Sequence, residues 1–149
     1  MKRFFFFFLL LCGQLYALER ESTLKMYATI FEALGLKAPI YLYVDDKEYR
    51  SVFRHSSDIE MVNTFEKSDI VLITTEEMLD LARRKKGQIP EGKPLLFATD
   101  YHFLKSCEKA VGAFYWRKGR SQLLFLKKRL DKHHIVVPKR YDQFVIDEL

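Results

Sequence analysis

The chain has 149 residues, 48% of them apolar, with 13 Phe, two Cys and a formal net charge of +5. That is enough chain for one domain with a real core. Two cysteines exclude a densely disulfide-stapled scaffold, and so small a charge excess argues against a nucleic-acid binder.

Met1-Lys2-Arg3 precedes nine consecutive apolar residues, Phe4 to Cys12, and Leu15-Tyr16-Ala17 ends on a small residue. A charged start, a short apolar run and a small-residue cleavage site are the layout of a secretory signal peptide. Gly13 and Gln14 interrupt the run well short of the roughly 20 apolar residues a bilayer crossing needs. The expectation is a signal peptide over 1–17 and an exported, periplasmic domain over 18–149. A lipoprotein would use Cys12, but Leu11 stands where a small residue is wanted; an uncleaved interfacial anchor is the third reading. Cleavage removes Lys2, Arg3 and Cys12, leaving 23 basic residues against 20 acidic, net +3, and Cys107 as the single thiol. That thiol is then either buried or an intermolecular partner, and a homodimer stays open.

Ser22-Thr23 can cap a helix, and Leu24, Ala28, Phe31 and Leu34 repeat at helical spacing up to Gly35, so a helix is expected from about Thr23 to Leu34. Pro39 opens the β-forming run Ile40 to Val44, ended by Asp45-Asp46. Glu48 to Arg54 fits a short helix and Ile59 to Phe65 a weaker strand. Asp69 to Thr74 is apolar through its middle, as a strand covered on both faces is. Thr75 then caps a helix with Glu76 and Glu77 in its first turn, Met78, Leu81 and Ala82 on its inner face, and cations from Arg83 to Lys86 at its end. Gly87 to Gly92, with Pro90 inside, reads as a loop.

Lys93 to Thr99 repeats the buried-strand pattern, and Tyr101 to Cys107 is a short helix or turn. Ala110 to Trp116 and Ser121 to Leu126 form a hairpin around Gly119. Lys127 to His134 turns helical until Val136-Val137-Pro138, and Arg140 to Leu149 is expected to close the chain as a helix. Buried strands alternating with helices predict an α/β fold: a three-layer sandwich with a mainly parallel mixed sheet and a late hairpin.

The chemistry is sparse. Asp45-Asp46 resembles the acidic pair of response-regulator receiver domains, yet the strand ending Ile73-Thr74-Thr75 supplies no carboxylate to phosphorylate. Asp100, His102 and Cys107 are metal-ligand types without metal-site spacing, and adjacent His133 and His134 diverge on a helix. There is no Gly-x-Ser-x-Gly motif and no glycine-rich phosphate loop, and the nearness of His102 to Cys107 in sequence says little about a catalytic pair. No cofactor and no metal are expected, and binding is favoured over catalysis.

Two binding surfaces stand out. Phe114 to Arg120 combines three aromatics with three cations at the hairpin tip. Aromatics beside Arg favour interface contacts, so Tyr115, Trp116, Arg117, Lys118 and Arg120 are candidates to hold an acidic partner surface, a lipid headgroup or a small anionic ligand. The plainer reading turns alternate residues into the core and lets the cations solvate the turn. The other surface is the carboxyl ends of the strands, where Asp45, Thr74, Thr75, Thr99 and Asp100 would line the ligand site of a single-lobe relative of transporter solute-binding proteins.

From Ser68 onwards four stretches follow in order: Asp69-Ile-Val-Leu-Ile-Thr74, Pro94-Leu-Leu-Phe-Ala-Thr-Asp100, Val111-Gly112-Ala113-Phe114 and Leu123-Leu-Phe-Leu126. With the helix from Lys25 to Leu34 ahead of Pro39, this order resembles the YfiR-like family of periplasmic proteins. The chain differs in having Ala38 before that proline, Ala113 after Gly112, an apolar return strand, and no paired cysteines. The resemblance implies a non-catalytic regulator that restrains a membrane-bound diguanylate cyclase by touching its exported sensor segment.

Overall fold

The structure, a computed structural model, describes residues 19–85, 87–88 and 93–149. The signal segment 1–17, and with it the cleavage site, lies outside the described residues, as do Leu18, Lys86 and residues 89–92 of the loop.

Helix α1 covers residues 19–33 and buries Tyr27, Ile30, Phe31 and Leu34, one face at three- and four-residue spacing. Thr23 does not cap it: its hydroxyl donates to the Glu19 carbonyl one turn back at 2.9 Å, so the helix starts earlier than the capping residues suggested. The stop is as read. Gly35 sits at φ +82°, its N–H donates to Glu32 O, and Leu36 N–H reaches Phe31 O, a Schellman closure.

Strand β1 (Ile40–Tyr43) leads to α2 (Lys47–Phe53), whose first-turn amides Glu48 N and Tyr49 N donate to the Asp46 carboxylate. Strand β2 (Ile59–Met61) follows, then a 3-10 turn (Phe65–Lys67), β3 (Ile70–Ile73), α3 (Glu76–Arg84), β4 (Leu95–Ala98) and α4 (Tyr101–Ser106). The hairpin is β5 (Ala110–Arg117) and β6 (Arg120–Leu126). After it come α5 (Lys127–Lys132), a 3-10 turn (Lys139–Phe144) and β7 (Val145–Ile146).

The seven described strands form one sheet in the order β2-β1-β3-β4-β5-β6-β7. Pairs from β2 to β5 are parallel, β5–β6 is antiparallel, and β6–β7 is parallel again. The expected α/β sandwich with a mainly parallel mixed sheet and a late hairpin is therefore the observed architecture. One core lies under α1 and α2 and takes Leu42, Ile70, Leu72, Phe97 and Phe125; the other lies under α3 and α4 and takes Val71, Ile73, Leu96 and Ala98. Strands β3 and β4 are buried at every position, which is why they read as unbroken apolar runs.

Three expectations are corrected. The closing helix over Arg140 to Leu149 is a 3-10 turn anchored by buried Tyr141, and Val145-Ile146 pair with Phe125 and Leu126 instead. Those β-branched residues gain ladder bonds from an open sheet edge that local sequence does not reveal. The strand over Ile59 to Phe65 stops at Met61, because Asn63-Thr64 turn the chain and bury Phe65 under Tyr43. On α3 the fully buried leucine is Leu79, and Leu81 is half-buried.

Candidate functional site

The β5–β6 hairpin is a ribbon that outgrows its sheet. The last β4–β5 pair is Ala98 with Ala113, and β7 meets β6 only at Phe125 and Leu126. Among the described residues, no other strand pairs with 114–117 or 120–124. Arg117 lies four residues past Ala113, so the ribbon overhangs by about 13 Å.

Local sequence builds the turn. Lys118 (φ +51°) and Gly119 (φ +73°) both take left-handed conformations, the two-residue geometry whose twist matches the flanking strands. The root is locked by packing. A β-carbon on Gly112 would stand 2.5 Å from the Leu124 carbonyl oxygen and 3.0 Å from the rings of Phe97 and Phe125. Here the chain slips register between Leu96 and Phe97, and a bare backbone lets β6 close over β4 and β5.

Beyond Phe114, buried against Tyr27, the ribbon leaves the core. Trp116 is 68% exposed, so it is not a core residue of the hairpin. It sits opposite Ser121 on the α1 side. On the other side Tyr115 is half-buried with its ring 6.1 Å from that of Tyr101, itself exposed. Above them Arg117 faces Arg120 directly across the strands, and both are exposed. Like charges in that position cost a sheet roughly 0.2–1 kcal/mol. Neither Arg, nor Lys118, makes an ion pair among the described residues. The tip thus joins an exposed indole to three unneutralised cations, an arrangement that costs stability locally and suits an anionic partner.

The strand-end residues lie at the same end of the sheet. The order in which strands are laid down reverses between β1 and β3, β2 lying on one side of β1 and β3 on the other, and there Thr74 donates to Asp45 at 3.2 Å. Thr75 caps α3 by accepting from Met78 N at 3.2 Å, Asp100 caps α4 by accepting from His102 N at 2.7 Å, and Thr99 donates to Ile73 O at 2.9 Å. The structure therefore gathers Asp45 with Thr74, and employs Thr75, Thr99 and Asp100 in holding helices and strands. Exposed Asp45, Glu48, Glu76, Glu77 and Asp100 make this rim acidic, with His102 3.2 Å from Glu76.

Asp100, His102 and Cys107 do not converge; no cluster of metal-ligand type forms among the described residues. Cys107 is buried at the far end of α4, and burial pushes its thiol above its ordinary range. The residue that sequence reasoning missed is Arg129 on α5. Its Nη1 donates to three carbonyls, Cys107 O at 2.7 Å, Ala110 O at 2.9 Å and Leu104 O at 3.2 Å, tying the end of α4 to the start of β5. One arginine in the run Lys127-Lys128-Arg129 carries no local mark of that role.

No helix among the described residues is long and apolar enough to cross a membrane. Compared with protein-family models, with curated proteins and with solved structures, the chain matches none.

Proposed function

We propose that this protein is an exported, non-catalytic binding protein that regulates a membrane sensor by contact through the β5–β6 hairpin. The observation that carries the reading is the overhanging tip, where Trp116, 68% exposed, stands beside Arg117, Lys118 and Arg120. A large exposed aromatic flanked by arginine is the composition of an interface hot spot, and the cations select an acidic surface. The signal-like opening run and the order of elements resembling YfiR-like proteins support one partner class, the exported segment of a membrane-bound diguanylate cyclase.

The test is crosslinking in the native envelope followed by mass spectrometry, with Trp116→Ala/Arg117→Ala beside the parent. Capture of the sensor should fall at least about tenfold in the double variant, with thermal unfolding unchanged. Equal capture by both proteins rules out this surface.

The sheet reversal at Asp45 and Thr74 favours a second reading, a small-molecule site at the strand ends. The acidic rim restricts its ligand to a neutral or cationic one. A thermal shift with sugars or amines that disappears in Asp45→Asn would establish that site; no shift with any of them removes it.

A further inference from the structure

We infer that the hairpin of one copy docks on the acidic strand-end rim of a second copy, forming a head-to-head symmetric dimer. The inference shares the hairpin with the reading above, but it needs only the two surfaces this chain carries. The hairpin tip is basic and has no ion partner among the described residues, while the neighbouring rim holds exposed Asp45, Glu76 and Glu77. Both point the same way along the strands, because the turn follows the carboxyl end of β5 as the rim follows those of β1, β3 and β4. Within one molecule the two make no ion pair among the described residues, and the ribbon's end stands about 13 Å past the last β4–β5 pair. A second molecule, inverted on the first, brings them together.

The geometry closes as a two-fold interface must. An axis normal to the sheet, beside the open edge of β5, lays the two β5 tips antiparallel against each other. Residues 115 and 117 bond to β6 as the narrow pairs of this two-residue hairpin, so Trp116, past the last β4–β5 pair, turns its main-chain groups to that open edge. One strand spacing further on, about 4.8 Å, each β6 tip stands over the partner's β3 end. That places Arg120 above the Glu76-Glu77 turn, and Arg117 above Asp100. The crowded cross-strand Arg117–Arg120 pair then receives carboxylates, which no described residue of its own chain gives it. A dimer of this kind covers the hairpin, so a partner that uses the hairpin competes with self-association.

The experiment is sedimentation velocity on protein purified from cells expressing the whole chain. The parent should be dimeric at low ionic strength, and its dissociation constant should rise at least about tenfold as the Debye length falls from about 10 Å at 0.1 M to about 3 Å at 1 M salt. Arg120→Glu and Glu76→Lys/Glu77→Lys should each be monomeric alone, since each sets like charge against like. Mixed, they should restore a dimer, because both contacts then pair opposite charges. This rescue separates a lost interface from a lost fold. A parent that stays monomeric, or variants that remain monomeric on mixing, would overturn the inference. So would a monomeric parent that co-sediments with phosphatidylglycerol vesicles, which makes the hairpin a lipid contact. If the parent is monomeric yet the Trp116/Arg117 variant loses sensor capture, the dimer fails and the partner reading stands.

Discussion

The two halves of strand β5 are built on opposite rules. From Ala110 to Phe114 every residue is buried, the backbone is pressed to within a missing β-carbon of β6, and at Gly112 and Ala113 the strand has neighbours on both sides. From Tyr115 to Arg117 it has one neighbour, an exposed indole and a like-charge pair. The first half holds the domain together, and the second spends local stability on a surface. The contrast sets the proposed binding surface where packing stops.

The comparison breaks most sharply at Gly112. Gly112→Ala drives a β-carbon into backbone at 2.5 Å, which cannot swing away as a side chain could. It should cost about 3 kcal/mol or more in chemical denaturation. A loss below about 1 kcal/mol would mean that the root is not packed as described.

Arg129→Leu comes next. It strips three carbonyls of one donor at the entrance to β5 and should cost about 2–3 kcal/mol. Arg129→Lys, which keeps a charge but not the planar fork, should recover only part. Full recovery would show that charge alone matters.

The third effect is alkaline. Tyr27 packs edge-on to Phe114 with its hydroxyl buried and no hydrogen-bond partner among the described residues. Burial first, and then neighbouring Tyr49, push its phenol well above the usual range, and burial pushes the Cys107 thiol up as well. Both groups hold their protons more tightly folded than unfolded. Their contribution is therefore intact below the ordinary values, about 8.5 for a thiol and 10 for a phenol, and is lost as pH rises through the raised ones. Melting temperature should fall above about pH 9, and Tyr27→Phe should flatten that fall without loss at neutral pH. An identical alkaline slope in the variant would remove Tyr27 from the account.

The smallest effect lies at the tip and has the opposite sign. Lys118 holds a left-handed conformation that suits Asn or Gly better. Lys118→Asn should stabilise by a few tenths to about 1 kcal/mol, read as a rise in melting temperature. A drop would mean that the ammonium has a partner within the fold.

Sequence and structure agree unevenly. The runs Ile70–Ile73 and Leu95–Ala98 declared doubly covered strands, and Thr75 stands where helix-capping chemistry wants it. The hairpin was legible because Gly119 and flanking β-formers are local signals. Arg129 and β7 were not, because a side chain that meets carbonyls 19 to 25 residues away leaves no periodic trace.

The candidate site divides the same way. The aromatics and cations of Tyr115 to Arg120 could be read directly. Whether Trp116 enters the core could not, since alternation gives two faces and does not say where the sheet ends. Sequence alone determined the α/β class, the stop of α1 at Gly35 and the composition of the tip, which rest on local patterns of residue type. Tertiary structure decided that β5 and β6 outrun β4 and β7, that the acidic strand ends share the ribbon's end of the sheet, and that a bare glycine backbone anchors it. Those facts depend on strand order and register, where residues far apart in the chain meet.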